Sequence, residues 1–427
     1  MSVQVFESVA TVGIIAIFIQ VVRLWFISRP AGAPVAPPAV PGATDQYLFA
    51  FLVPALNERR VIEQTVDRLL ALPVRHRLVL VIDDGSTDGT GDLVESRDDP
   101  RVRVLRRQLP AARSGKGAAL NAGFQRLLAD VDGWPADKVI VGIMDADGRL
   151  DRDAPVRVAA YFAKPEVGAV QIAVRIDNRR DSTLGRLQDM EFVTYTDVFQ
   201  GARDLWGVAG LGGNGQFVRL SAHLDLAPAP WTNGLTEDLE QGLRLICVGW
   251  QVRYCRDVAV HQQGLESVRK LLRQRSRWFQ GHLQAWRQIP CIIRGAPLRT
   301  VPHLLHTLLV PVLLLCNVLL LGAFAAMLAA FAVSPAVRLD LARPGVFIDW
   351  YWLTFALAVF LAVSVYARRE PGLTRWRILA LGHAFAGYSL LWMVAGYWAL
   401  GRMLSGRRGW LKTERVPESQ PERAGRK

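Results

Sequence analysis

Three stretches of this 427-residue chain contain no Asp, Glu, Lys or Arg: residues 301–337, 350–367 and 378–401, of 37, 18 and 24 residues. A helix needs ~20 apolar residues to cross the hydrocarbon core of a bilayer, so these tracts predict transmembrane helices across 301–401. Residues 8–28 (SVATVGIIAIFIQVVRLWFIS) form a fourth apolar tract, broken only by Arg23. This tract has no basic start and no Ala-x-Ala cleavage site, and Arg23 and Arg29 lie at its far end. It therefore reads as a retained anchor over residues 1–29 rather than a signal peptide. Residues 30–44 follow as a Pro-rich, semi-rigid linker, with five prolines between Pro30 and Pro41. The 257 residues from 44 to 300 are long enough for one sizeable globular core.

Hydrophobic residues make up 51% of the chain and charged residues 21%, which excludes a disordered or collagen-like protein. Lys and Arg exceed Asp and Glu by 51 − 38 = +13. That excess does not point to nucleic acid. Residues 265–300 hold eight basic residues and one acidic residue immediately before a membrane tract, the bias of a cytosolic juxtamembrane face attracted to anionic lipids. The four cysteines are widely spaced, with no CxxC pair, so neither a zinc site nor a disulfide framework is expected.

Within the globular segment, short apolar runs alternate with helical patterns. Residues 47–54 (YLFAFLVP), 78–82 (LVLVI), 102–105 and 139–144 (VIVGIM) read as strands. Residues 57–72, a short segment from Gly91, and residues 116–128 read as the intervening helices. This alternation predicts an α/β fold with a mainly parallel sheet flanked by helices, whose ligands sit at the carboxyl ends of the strands. Two acidic clusters fall at such ends: Asp83-Asp84-Gly85-Ser86 and Asp145-Ala146-Asp147-Gly148. Turn chemistry alone also accounts for the first. In the second, two carboxylates at i, i+2 suit a hard divalent ion, Mg²⁺ or Mn²⁺, that keeps substrate phosphates among its ligands. Thr236-Glu237-Asp238 precedes a helical pattern, where helix capping is the alternative role. Gln274-Arg275-Ser276-Arg277-Trp278 lies in a basic helical segment, where a solvated or headgroup-facing surface is the alternative.

The order DDGS, DAD, TED and QRSRW, followed by membrane tracts, resembles the family-2 inverting glycosyltransferases. The closest likeness is to membrane-embedded synthases of the cellulose, hyaluronan and chitin type. The resemblance covers residues 49–281, more weakly to Arg415. VPALNE (53–58), SGKG (114–117) with Asn121, and GGNGQF (212–217) add to it. It implies a GT-A-like catalytic domain over residues 45–264, interfacial amphipathic helices with QxxRW over 265–300, and transmembrane helices over 301–401. It also implies a multi-pass protein of the plasma membrane with its catalytic domain cytosolic. Asn57, Glu58, Asp83 and Asp84 would hold the uracil and ribose of a UDP-sugar, and Lys116 would lie near its phosphates. Asp145 and Asp147 would flank the diphosphate and bind the metal. Asp238, beside Thr236 and Glu237, would be the general base, while Gln274, Arg277 and Trp278 would bind diphosphate and acceptor.

The expected reaction is inverting transfer to a growing β-linked polysaccharide, coupled to translocation across the membrane. Single-sugar transfer to a lipid acceptor is the rival, and the motifs alone do not separate the two. A nucleotide-sugar sensor without catalysis is disfavoured by the intact TED and QxxRW. A transporter is disfavoured because the three C-terminal tracts hold no ionisable residue other than histidine. An accessory subunit is left open. His303, His306 and Asn317 suit either helix–helix hydrogen bonds or a pore lining.

Residues 402–427 form a basic tail, whose charge belongs on the cytosolic side. A full crossing by 378–401 would put it outside. Gly382, Gly387 and Gly396 therefore suggest a broken, re-entrant hairpin there. Within the tail, Trp410, Thr413 and Arg415 repeat the spacing of the cellulose synthase gating motif. That likeness implies a loop that closes over the nucleotide, with Thr413 near the diphosphate and Arg415 adding charge.

Overall fold

β1 (Leu48–Ala55) is an almost unbroken apolar run, buried on both faces, as a central parallel strand must be. The computed structural model describes residues 37–38, 42–333, 335 and 357–406. The expected N-terminal anchor and the tail with Thr413 and Arg415 lie outside the described residues. After β1 come β2 (His76–Asp83), β3 (Val102–Arg106), β4 (Val139–Ile143), β5 (Arg149–Leu150), β6 (Val167–Ile176), β7 (Gln216–Arg219) and β8 (Gln251–Gln262). They form one sheet in the order β3-β2-β1-β4-β7-β6-β8-β5.

β1 pairs in parallel with β2 and β4, and β2 with β3. The expectation of a mainly parallel sheet holds for this half and fails for the other. β7 is antiparallel to both β4 and β6, β6 and β8 are parallel, and β5 is antiparallel to β8, so the sheet is mixed. The inversion arises at β7, a four-residue strand that follows a glycine-rich loop and shows no strand pattern of its own.

Alternation along β1 sorts its side chains into two cores. Phe49, Phe51 and Val53 pack with Ile62, Val66 and Leu69 of the Ile62–Leu70 helix. Leu48, Ala50 and Leu52 pack with Leu120, Phe124 and Leu127 of the Lys116–Asp130 helix. The first of these helices begins five residues later than the pattern predicts, because Asn57 adopts a positive φ of 53° and turns the chain out of β1.

The C-terminal part comprises helices Val268–Gln284, Ile289–Gly295, Val301–Val333, Leu357–Arg369 and Arg375–Leu404. Among the described residues, Arg375–Leu404 is long and apolar enough to cross a membrane by length and composition, and Val301–Cys316 is a shorter apolar stretch. The 378–401 tract is one uninterrupted helix, not a hairpin. Two of its glycines serve close packing, Gly382 against Val359 and Val363 and Gly396 against Phe279 and Leu315, while Gly387 faces open space. A hairpin therefore does not resolve the placement of the basic tail. The connection before this helix is pinned to the catalytic domain. Arg369 makes two 2.8 Å bonds to Asp197, and Glu370 receives Arg175 at 2.6 Å and Arg179 at 2.8 Å.

Candidate active site

In the order β3-β2-β1-β4 the direction of winding reverses between β1 and β4, which opens a crevice at their carboxyl ends. Three of the expected motifs leave the sheet there. After β1, the Asn57 side-chain oxygen accepts the Thr87 N–H at 2.8 Å and its own N–H donates to Ser86 Oγ at 2.9 Å. The Glu58 N–H donates to Thr90 Oγ1 at 2.9 Å. After β2, Asp83 Oδ1 accepts the Ser86 N–H at 2.9 Å, and Asp84 forms an ion pair with Arg107. Asp83 and Asp84 thus also build the turn. After β4, Asp145 is followed by a tight turn in which the Gly148 N–H donates to its carbonyl at 2.8 Å.

Lys116, Asp145 and Asp238 meet across this crevice. Lys116, the first residue of its helix, places Nζ 2.7 Å from Asp145 Oδ1. Gly213 has φ +80°, and a Cβ there would stand 2.9 Å from Asp238 Oδ2 and 3.4 Å from Lys116 Nζ. Only glycine lets the backbone come this close. Asn214 Oδ1 accepts the Asp145 N–H at 3.1 Å, and Asn214 Nδ2 donates to Gln262 at 3.1 Å. Lys116, Asp145, Asp238 and the 212–215 loop are therefore one cluster. Burial opposes the Lys116 charge, but Asp145, Glu237 and Asp238 together hold its pKa above the ordinary lysine value.

Burial raises both carboxylates of the TED motif. Burial and the Asp238 charge push Glu237 up to about 7, against the pull of Lys116 and Arg277. Burial also raises Asp238, against the pull of Lys116. Because the folded pKa of Glu237 exceeds its ordinary 4.5, folding takes up a proton between those values, and the buried charge costs stability as pH rises through 7. Glu237→Gln should raise the thermal midpoint at pH 8, by up to about 3 kcal/mol of stability, and change it little near pH 5. An unchanged or lower midpoint at pH 8 contradicts this electrostatic picture.

The helix after TED is not capped as expected. Thr236 occupies the N-cap without a side-chain bond, and its Oγ1 is buried with no partner among the described residues. Asp238 Oδ1 instead accepts the Leu239 N–H at 2.7 Å.

The QRSRW helix docks onto this edge. Gly281 packs against Thr236, so close that a Cβ would stand 2.5 Å from Thr236 Cγ2. Gln284 accepts the Leu235 N–H at 3.1 Å, and Arg287 grips Glu240 through bonds of 2.7 and 2.8 Å. Arg277 lies near enough to Glu237 to lower its pKa. Gln274 Oε1 accepts from Arg275 at 2.7 Å, which fixes the direction in which its amide NH₂ is presented. The Arg275 guanidinium lies 4.3 Å from the centroid of the Trp278 ring and covers one face of it, which confines sugar stacking to the other face.

Arg275 is the residue that sequence reasoning missed. It is 1% exposed and bonds Glu191 at 2.7 Å. It also packs on Phe192, Trp278 and Trp392. Glu191 in turn accepts Trp392 Nε1–H at 2.9 Å and the Tyr388 hydroxyl. No motif flags Glu191, whose partners Arg275, Tyr388 and Trp392 lie 84, 197 and 201 residues away. Arg275 occupies a spacer position inside QxxRW.

Among the described residues no group of three or more His, Cys, Asp or Glu is arranged to hold a metal. The donor set fits a divalent ion in another way. Asp145 and Asp147 offer two hard carboxylates, and Asp145 already holds a cation, the Lys116 ammonium. Two carboxylates with substrate phosphates and water completing the shell is the usual Mg²⁺ arrangement.

Known proteins share these features. The chain is 34% identical over 268 residues to a beta-monoglucosyldiacylglycerol synthase of Synechocystis, covering 60% of this chain and 53% of that one. It is 29% identical over 240 residues to the poly-beta-1,6-N-acetyl-D-glucosamine synthase of Staphylococcus aureus, covering 55% and 54%. The chain spans about half the length of the curated relatives it matches. Among solved structures, the mannosyltransferase PcManGT of Pyrobaculum calidifontis, in complex with GDP-Man and Mn²⁺, superposes with a TM-score of 0.56. It is 22% identical, over 90% of this chain and 96% of that one, a likeness of fold. The model for glycosyltransferase-like family 2 matches residues 46–281, more than half of the chain, and the chain belongs to that family.

Proposed function

We propose that this glycosyltransferase moves a hexose from a UDP-sugar, with inversion, to an acceptor presented at a membrane surface. The observation that carries the reading is the single half-buried cluster in which Lys116 and the Gly213 loop join Asp145 of the DAD motif to Asp238 of TED. In this reading Asn57, Glu58, Asp83 and Asp84 bound the nucleoside pocket. Asp145 and Asp147 hold Mg²⁺ or Mn²⁺, which when bound supplies positive charge to the departing diphosphate. Lys116 and Arg277 supply further charge of the same sign at a fixed distance. Asp238 accepts the proton of the acceptor hydroxyl as that oxygen attacks C1 from the face opposite the leaving group. Its raised pKa makes it a better base than an ordinary aspartate. Trp278 meets the acceptor in this reading.

A lipid acceptor is the better supported choice. The relative named for glucosyl transfer to diacylglycerol is more similar than the one named for polymer synthesis, 34% against 29%. The QRSRW helix also packs along the apolar Arg375–Leu404 helix, which brings the acceptor side next to a bilayer-competent element. Polymer synthesis with translocation, in a multi-pass protein with a cytosolic catalytic face, is the second reading, favoured by the poly-N-acetylglucosamine relative.

The test is to incubate the purified full chain in detergent with diacylglycerol, Mg²⁺ or Mn²⁺, and in turn UDP-glucose, UDP-N-acetylglucosamine and GDP-mannose. The expected product is one hexose on the glycerolipid from a UDP-sugar. A growing ladder of polymer replaces the lipid reading by the second. Transfer from GDP-mannose alone overturns the nucleotide assignment.

A further inference from the structure

Arg203 differs from the other buried arginines. It lies in the short helix Gly201–Asp204 and is 5% exposed, yet among the described residues its guanidinium has no carboxylate partner. Its one hydrogen bond runs from Nη1 to the Tyr195 hydroxyl, at 3.4 Å. Asp204 beside it is engaged elsewhere, with Arg253 at 2.7 Å and the Tyr254 N–H at 2.8 Å. By contrast, Arg275 is paired with Glu191, and Arg219 donates to the carbonyls of Asp137, Phe162, Lys164 and Val167. A largely buried guanidinium that has neither a carboxylate nor a set of backbone carbonyls is retained where an anion completes it.

The surroundings of Arg203 are histidine- and aromatic-rich. His282, one turn beyond Trp278, donates its Nδ1–H to the Trp278 carbonyl at 3.0 Å, which leaves Nε2 as an acceptor. Burial, and then the charge of Arg203, hold His282 below the ordinary histidine pKa against that hydrogen bond. His306 is also within electrostatic range of Arg203. The rim is aromatic: Tyr195 is 39% and Trp206 43% exposed, and the Trp206 ring lies 5.1 Å from that of His303. This junction unites the Gly201–Asp204 helix, the end of the QRSRW helix and the start of the apolar Val301–Val333 helix. Gly281, next to His282, packs on Thr236 of TED.

We propose that Arg203, with the Tyr195 hydroxyl, binds a phosphate-class oxyanion beside the acceptor end of the active site. The aromatic rim and the apolar helix fit an anion carried on a lipid headgroup. The proposal does not depend on which sugar is transferred or on the role of Asp238. Arg203 meets a phosphate with a planar fork of donors, and bonds to a charged partner are worth enough that its loss weakens binding roughly tenfold to a hundredfold.

The test uses the full chain in an uncharged detergent and follows thermal unfolding during titration with dioctanoyl phosphatidylglycerol, inorganic phosphate, or dioctanoylglycerol as the phosphate-free control. A saturable rise in midpoint is expected with phosphatidylglycerol and not with dioctanoylglycerol. Arg203→Met should weaken it by that tenfold to hundredfold. A response to phosphatidylglycerol alone assigns the anion to a lipid, and an equal response to inorganic phosphate assigns it to phosphate itself. If Arg203→Met does not fold, Arg203→Lys replaces the fork by a point charge and should still weaken binding severalfold. No saturable response to either phosphate probe, or an unaltered affinity in the folded Arg203 variant, overturns the proposal.

Discussion

Asp238→Asn should cut sugar transfer by about 10²–10⁴-fold, while affinity for the UDP-sugar changes by no more than about twofold. Asparagine keeps the volume and the Leu239 N–H contact of Asp238 but cannot take a proton from the acceptor hydroxyl. Asp238 lies opposite Lys116 and against the Gly213 backbone, not at the turn of Asn57 and Asp83 assigned to the nucleoside, so donor binding should survive. Glu237 is the internal control. It too is buried and has a raised pKa, near 7. If Glu237→Gln abolishes transfer and Asp238→Asn does not, the base is Glu237. Equal turnover in wild type and Asp238→Asn removes the general-base account altogether.

The largest effect on stability is expected at Glu191. Glu191→Ala would leave the Arg275 guanidinium 1% exposed, enclosed by Phe192, Trp278 and Trp392, with its ion pair gone. It would also strand Trp392 Nε1–H and the Tyr388 hydroxyl. Breaking one side of a buried pair costs about 3–5 kcal/mol, because the remaining charge stays buried. The double variant Glu191→Ala, Arg275→Met removes that stranded charge and should recover part of the loss. Thermal unfolding of the full chain in detergent measures both. A loss below about 1 kcal/mol in Glu191→Ala, or no recovery in the double variant, would show that the pair is not what fastens the QRSRW helix to the Arg375–Leu404 helix.

The half of the fold built from local signals was legible in the sequence. β1, β2, β3 and β4 are apolar runs ending in turn residues, and each was expected within two residues of where it lies. The second half was not legible. β6 carries no alternation because nearly all its residues are buried, and β7 is too short to show a period. The antiparallel insertion of β7 depends on pairing with strands some 50 to 80 residues earlier, which no local pattern records. Within the site, the carboxylates could be found because turns at strand ends leave fixed spacings. Their meeting with Lys116 depended on the positive φ of Gly213, and the GGNG sequence hinted at that only as a resemblance. The hairpin expected at 378–401 failed for the same kind of reason. Gly382 and Gly396 looked like breaks in one dimension and are contact points in three. Arg203 and Arg275 appeared as ordinary members of basic stretches, because burial and pairing are properties of the folded chain.

The central claim is that one half-buried cluster, Lys116 with Asp145, Asp238 and the Gly213 loop, directs a single inverting displacement at the anomeric carbon. The anomeric configuration of the first product tests it most directly. The full chain is incubated with an α-linked UDP-[¹³C]hexose that supports turnover, Mg²⁺ or Mn²⁺ and diacylglycerol, and the new glycosidic bond is read by NMR before any further reaction. A β-configured product is predicted, because Asp238 activates the acceptor on the face opposite the diphosphate. An α-configured product would contradict the account, since retention requires either a second displacement or attack from the leaving-group face, and the cluster is assigned neither.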